Sequence, residues 1–295
     1  MNKILNSANI PVEKLLKSLK FHGVPDELSV AAISLADDAM RSWSTTSSNF
    51  LSPSYILGIC TSFRDVSGIS VHTYGGYPQA EKRKVFFDRI DQDLGVSDGA
   101  ALIENYLGIS VNPSLVDITE NHINLVEITG NFVFNKLNPE EFADAIVSSC
   151  NVRADELGDI ITIGDRGCQV LVDQSVTPNI VSLDNAKIGG VLIQCKQIPL
   201  LDIAVRPPVL KEMSTVEQSI RLDAIVSAAF GLSRSKISKL VVGGDVLVDW
   251  KVMVNPAYNI QKNQMIFMKG HGRVVIQDIS KTSKDRFRVK FKKMT

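Results

Sequence analysis

The sequence predicts an α+β chain in three parts: a mostly helical N-terminal region (1–96), a β-α-β-β-α-β middle domain (97–206) and a basic C-terminal module of short helices and strands (214–295). Three observations predict it. Apolar residues recur at helical spacing as far as Phe63. From residue 121 onward, short alternating apolar runs interleave with helix starts. The net charge of zero is also unevenly spread. Residues 214–295 hold 15 Lys and Arg against 6 Asp and Glu, a charge of +9, while residues 1–213 hold 17 against 26, a charge of −9. A basic third on an acidic body suggests that one module meets a polyanion, the alternative being a merely solvated basic surface.

The 295 residues, 44% hydrophobic and 22% charged, exclude a mainly disordered or collagen-like chain. No run approaches the roughly 18 apolar residues of a membrane span, and MNKILNSANIPVEKLLK lacks the apolar stretch of a secretory signal. The four cysteines (Cys60, Cys150, Cys168, Cys195) are far apart and form no C-x-x-C pair. That argues against a zinc ribbon or a thioredoxin-like motif and fits a reducing compartment: cytoplasm in a bacterium, chloroplast stroma or mitochondrial matrix in a eukaryote. No transit peptide is evident.

In order along the chain, Val12–Phe21 and Leu28–Trp43 carry helical spacing and are separated by the turn Gly23-Val24-Pro25-Asp26. Ser42–Asn49 (SWSTTSSN) reads as a polar loop. A helix restarts in Phe50–Phe63, with Ser52 as N-cap and Pro53 at its first position. Ile69–Tyr74 alternates as a strand and runs into Gly75-Gly76, and Pro78–Phe87 (PQAEKRKVFF) reads as a basic helix start. Gly75, Gly76, Lys82, Arg83 and Lys84 could hold RNA phosphates there, or could simply form a strand-to-helix turn with exposed cations. Cations at a helix start oppose its dipole, which leaves the functional role secondary. Residues 88–120 are acidic and read as an insertion or linker.

Next come the strand Ile123–Thr129 and a helix Asn138–Cys150, with Asn138 as N-cap, Pro139 at its first position and acids in its first turn. Strands Asp159–Ile163 and Cys168–Val172 flank the hairpin turn Gly164–Gly167. A short helix over 173–181 and a strand Gly190–Lys196 complete the split βαβ order of ferredoxin-like domains, a plan shared by RNA-recognition domains. Those domains stack bases on aromatics of the central strands. Cys168–Val172 has none, which favours a scaffold or protein-docking role. Pro207-Pro208 reads as an extended linker.

In the C-terminal module, Ser214 or Thr215 with Glu217 or Gln218 could form a capping box that starts a helix. Leu222, Ile225, Val226, Ala229 and Phe230 then form one apolar stripe, ended by Gly231. Ser233 can cap a second helix, Arg234–Val242, closed by Gly243-Gly244. Its Ile237, Leu240 and Val241 share one side. Ser235, Ser238 and Lys239 lie opposite, with Arg234 and Lys236 at the margins. Hydroxyls, cations and N-terminal amides suit phosphate oxygens. Asp245–Trp250 alternates, with Val246, Val248 and Trp250 on one side, and Met265–Lys269 is a further strand. The glycines of Gly270–Arg273 (GHGR) allow close backbone approach around His271. The last strand turns Phe287, Val289 and Phe291 inward, leaving Arg286, Arg288, Lys290 and Lys292 as an outer cationic row.

Residues 221–251 (RLDAIVSAAFGLSRSKISKLVVGGDVLVDWK) resemble the S4-type RNA-binding domain, the αL module of a bacterial small-subunit ribosomal protein. The resemblance rests on Arg-Leu-Asp, then Ser233-Arg234, then Gly244-Asp245-Val246-Leu247-Val248. FLSPSYIL (50–57), GGYPQAEKRK (75–84), LGDI (157–160), IGGVLIQCKQIP (188–199) and the tryptophan of VDWK (248–251) extend it to the YlmH family. Cyanobacterial and plant members of that family are called photosystem II S4 domain proteins. The likeness covers most of the chain apart from 88–120. It implies a helical N-terminal region, an RRM-like middle domain and a C-terminal S4-type domain in series. It also implies a binding factor rather than an enzyme, one that associates with the large ribosomal subunit and peptidyl-tRNA during rescue of obstructed nascent chains.

By the same resemblance, Arg221 and Arg234 match arginines that contact tRNA and ribosomal RNA in related small S4-type factors. The expected RNA-binding set is Arg221, Ser233, Arg234, Ser235, Lys236, Ser238, Lys239, Lys251, Lys269, His271, Arg273, Arg286, Arg288 and Lys290. Two departures stand out. Asp249 replaces the usual Asn and places an acid near the expected RNA side, and Asn263-Gln264 replaces a Gly-Asp turn.

The sequence has no HExxH and no glycine-rich nucleotide loop, and its four histidines are scattered. S4-type domains also precede pseudouridine synthases and some rRNA methyltransferases, but no catalytic domain accompanies this one, so Asp223 is not read as a nucleophile. No cofactor or metal is expected. The expectation is a monomeric, ribosome-associated factor that binds structured rRNA or tRNA. The rival is an organellar assembly or protein-interaction factor using the acidic body, with an RNA-modifying enzyme behind both.

Overall fold

The computed structural model describes residues 10–77, 79–90, 122–205, 209–268 and 270–294. It divides into two compact units, Met1–Val205 and Arg206–Thr295. The expected boundary at 96/97 and nearly all of the acidic stretch 88–120 lie outside the described residues, as do Pro207, Pro208 and Lys269. Among the described residues no helix is long and apolar enough to cross a membrane.

The first unit opens with helices α1 (Val12–Phe21), α2 (Asp26–Ser42) and α3 (Pro53–Phe63). Val12, Leu15 and Leu19 of α1, Ala32, Ile33, Ala36 and Ala39 of α2, and Ile56, Ile59 and Phe63 of α3 are buried, the spacing of single apolar stripes. Part of the polar loop before α3 is strand: β1 (Thr46–Ser47) pairs with β3 (Lys84–Arg89), and β3 pairs with β2 (Ile69–Tyr74) in the order β1-β3-β2.

The basic helix start expected over 78–87 is therefore overturned. Val85, Phe86 and Phe87 are all fully buried, and β3 has partners on both sides. Three consecutive bulky residues can all be buried in a central strand covered on both faces, whereas a short surface helix would expose one of them.

A second sheet in this unit is built from β4 (Ile123–Gly130), β5 (Leu157–Thr162), β6 (Gly167–Asp173), β7 (Lys187–Ile188) and β8 (Val191–Ile198), in the order β5-β6-β4-β8-β7. Helices α4 (Pro139–Cys150) and α5 (Thr177–Val181) belong to it. Asn138 caps α4 in a full capping box: its Oδ1 accepts from Glu141 N at 2.9 Å, and Glu141 Oε2 accepts from Asn138 N at 2.7 Å. One sheet face (Val126, Ile128, Val170, Val172) packs on Phe142, Ile146 and Ile180 of these helices. The other (Ile123, Leu125, Leu171) is covered by Phe50 and Phe86, with Tyr74 and Tyr77 against them. Gly76, at φ +92°, crosses so close that a Cβ there would stand 2.2 Å from Leu171 Cδ2.

In the second unit a six-stranded antiparallel sheet runs β11-β10-β12-β13-β14-β9, with β9 Leu210–Glu217, β10 Val246–Val248, β11 Lys251–Val252, β12 Met265–Met268, β13 Gly272–Lys281 and β14 Phe287–Met294. Helices α6 (Leu222–Phe230) and α7 (Arg234–Val242) pack on one face through Leu222, Ile225, Val226, Ile237 and Val241 against Val246, Val248, Ile266, Val289 and Phe291. Gly231 ends α6 at φ 68°, and Ser233 caps α7, accepting from Lys236 N at 3.4 Å. The capping box expected at 214–218 is absent. Residues 214–217 belong to β9, which pairs with β14 from Leu210↔Met294 to Glu217↔Phe287. A ladder of that length outweighs a local cap. The C-terminal unit accordingly begins before the expected residue 214.

Candidate nucleic-acid interface

The first amides of α6 are used inside the fold: Leu222 N donates to Tyr258 O at 2.7 Å and Asp223 N to Pro256 O at 3.0 Å. These bonds fix the first helical turn and aim the Asp223 side chain toward the start of α7. Two arginines from different elements meet on its carboxylate. Arg221 donates from Nε to Oδ1 at 3.1 Å and from Nη2 to Oδ2 at 2.9 Å, a forked pair, while Arg234 donates from Nη2 to Oδ1 at 3.0 Å. The Asp223 side chain is 7% exposed, against 42% for Arg221 and 54% for Arg234. Burial would raise the Asp223 pKa, but the hydrogen bonds from Arg221 and Arg234 outweigh it and hold the carboxyl below its ordinary range. Asp223 is thus a site residue missing from the expected set. Its signal is Arg-x-Asp at a helix start, followed by a second arginine opening the next helix.

Around this cluster α7 exposes Ser235, Lys236 and Lys239, with Ser238 half-buried, and Ser233 Oγ lies 3.2 Å from Ser235 Oγ. His271 is exposed, its ring edge-on to Phe230 at 6.3 Å. Lys293, absent from the expected set, holds its ammonium 4.9 Å from the same Phe230 ring. Lys251 is exposed at the sheet edge, and Lys269 lies outside the described residues.

Other residues of the expected set are separated from this surface. Arg273 is buried, its guanidinium 6.0 Å from the Trp250 ring. Arg286 is exposed in the hairpin before β14, its amide donating to Thr282 Oγ1 at 3.2 Å. Val289 and Phe291 face the helices, so Arg288, Lys290 and Lys292 point from the opposite sheet face. That row is also partly neutralised: Lys290 stands in register opposite Asp278, and Lys292 Nζ is 3.5 Å from Glu212. The outer row of β14 and the cations of α7 therefore lie on opposite faces of one sheet.

Asp249 also departs from expectation. With Trp250 it forms a hairpin turn at φ 48° and 61°, the positive pair that a tight two-residue hairpin demands. Its Oδ1 accepts from Met265 N at 2.9 Å and its Oδ2 from Gln264 Nε2 at 3.2 Å, so the acid is tied to the neighbouring strand. Burial pushes its pKa up, against those two hydrogen bonds. Trp250, expected beside Val246 and Val248, packs on Phe267 at 5.1 Å instead.

The 75–84 segment is built into the first unit. Asp159 accepts from Tyr77 OH at 2.8 Å, Glu81 N at 2.7 Å and Lys82 N at 3.0 Å. Arg83 is buried and donates from Nε to Ala80 O at 2.9 Å, and buried Lys84 is ion-paired with Asp173. Gly75 and Gly76 serve close packing. The secondary RNA contact drawn from Gly75, Gly76, Lys82, Arg83 and Lys84 is replaced by this structural role. The thiols are shielded too: burial pushes Cys60 up to about 12 and Cys195 to about 11, and raises Cys150 and Cys168 as well.

A short helix pair on an antiparallel sheet, with two arginines gathered on one buried acid, defines a class, and residues 220–266 match the S4 domain family. Residues 27–92 match the family described as YlmH, N-terminal. The chain thus carries one stretch that matches the N-terminal domain of YlmH and another that matches the S4 domain. A relative from Bacillus subtilis (strain 168), named ribosome-associated protein quality control protein P2, is 29% identical over 143 residues, or 48% of this chain. The match spans about half of that relative's length, 55%. Among solved structures, the cell division protein ylmH from Streptococcus pneumoniae aligns with a TM-score of 0.42 and 14% identity, covering 59% of this chain and 91% of that one.

Proposed function

We propose that this protein is an RNA-binding, ribosome-associated factor that grips structured RNA through its phosphates, using Arg221, Arg234 and the exposed face of α7. The observation that carries this reading is the convergence of two half-exposed guanidiniums on one buried carboxylate, with the exposed Lys236 and Lys239 on α7, the helix that Arg234 opens. Phosphate oxygens are matched by such donors. The relative's name supports a place in quality control on the ribosome. The partners are large-subunit rRNA and tRNA, met by a monomer acting as a binding factor without a catalytic step. In this reading the RRM-like middle domain is a scaffold, since Phe50 and Phe86 cover the sheet face on which such domains stack bases.

The test is binding of the full chain to ribosomal RNA and tRNA across a salt series. Arg221→Ala and Arg234→Ala are expected to weaken binding without unfolding the domain, and to flatten the log–log salt dependence by about 0.7–0.9 for each phosphate no longer engaged. Wild-type binding by both variants overturns the assignment. A pull-down separates the rival reading: nuclease-sensitive recovery of large-subunit particles supports RNA docking, and nuclease-resistant recovery of a protein complex supports an assembly factor.

A further inference from the structure

We infer that Asp223 is a positioning residue that joins Arg221 and Arg234 into one receptor for a single phosphodiester group of RNA. The inference rests on the RNA-binding reading above and adds to it the unit of ligand that the pair accepts.

The donor count leads there. A guanidinium has five N–H donors and no acceptor. Asp223 engages two donors of Arg221 and one of Arg234, which leaves three and four for a ligand. The Nε edge of Arg221 is turned to the carboxylate, so its Nη1 group is left for the ligand. Charge leads to the same place. Two cations and one anion leave a single net positive charge, matched to the single negative charge of a phosphodiester. Without the acid, the guanidiniums would repel each other and could turn to separate phosphates. The carboxylate is also anchored before any ligand arrives, through the Asp223 N to Pro256 O bond and its own burial. The donors are therefore ordered in the free protein, which lowers the entropic cost of binding.

A purely structural ion pair makes the opposite prediction about charge. Asp223→Asn adds one positive charge beside the proposed RNA surface. If the acid only ties α6 to α7, or only repels RNA, a folded Asp223→Asn chain binds structured RNA as tightly as wild type or more tightly. If it positions the arginines, affinity falls about five- to tenfold at fixed salt despite the added charge, as expected when a forked charge-assisted pairing is broken. The measurement uses the full chain, a folded ribosomal RNA fragment and a salt series, with circular dichroism to establish folding. Where Asp223→Asn does not fold, Arg221→Lys and Arg234→Lys decide. Both keep the charge and lose the planar fork, and each is expected to bind about five- to tenfold more weakly. Wild-type affinity in the deciding variants overturns the inference while leaving the RNA-binding reading intact. Wild-type affinity in Arg221→Ala and Arg234→Ala overturns both.

Discussion

Gln264 donates its side-chain amide to the carboxylate of Asp249 at 3.2 Å, and the same amide nitrogen donates to Tyr258 OH at 2.9 Å. With Met265 N on its other oxygen, Asp249 joins the β10–β11 turn to the start of β12. Both departures noted in the sequence, at 249 and at 263–264, therefore belong to one local network. Asp249→Ala is expected to destabilise the second unit by about 1–3 kcal/mol, the cost of stranding the buried Met265 amide. RNA affinity measured on the remaining folded protein should be unchanged. Urea unfolding and RNA titration of the same preparation check both halves.

Lys84 is expected to matter for stability alone. Its ammonium donates to Asp173 and, at 3.3 Å, to His122 O, inside the first unit. Lys84→Ala leaves the carboxylate without its cation, and breaking a buried ion pair costs about 3 kcal/mol or more. Thermal unfolding should show the loss. The salt dependence of RNA binding should stay that of the wild type, whereas replacing a phosphate-binding lysine would reduce its slope.

Acid should weaken the first unit in a defined direction. Burial raises the carboxyls of Asp173 and Asp88, but hydrogen bonds from Lys84 and Ser175 to the first, and from His72 and Thr45 to the second, hold both below the ordinary value of 3.8. A group whose folded pKa lies below its unfolded one contributes stability above the unfolded value and loses it as pH falls through the folded value. Stability is therefore expected to decline as pH drops below 3.8. Asp173→Asn should be less stable at neutral pH and should show a shallower decline in acid. Unfolding midpoints measured from neutral pH downward check it, and an unchanged slope would count against the pairing.

The two faces of the C-terminal sheet should behave differently toward one RNA fragment. Lys236→Ala and Lys239→Ala should each lower the salt slope by about 0.7–0.9, the effect of releasing one phosphate. Arg288→Ala, on the face away from α6 and α7, should leave affinity for that fragment at the wild-type level. Equal weakening from both faces would mean that the fragment wraps the sheet.

Much of the fold could be read directly from residues close together in the chain. Asn138, Pro139 and Glu141 announce α4, Gly231 ends α6, Ser233 opens α7, and the stripe Leu222, Ile225, Val226 and Ala229 is buried as its spacing implies. Caps and amphipathic stripes act within a turn or two of helix, so neighbouring residues suffice to specify them. The arginines at the starts of two successive helices are legible for the same reason. What decides the roles of the other cations lies far away in the chain. Asp173 takes Lys84 out of the surface, Asp278 and Glu212 offset Lys290 and Lys292, and β14 draws residues 210–217 into a strand despite their helix-start pattern. A charge is visible in the sequence, but its solvation and its neutralising partner depend on which distant segments pack beside it, and only the tertiary structure settles that.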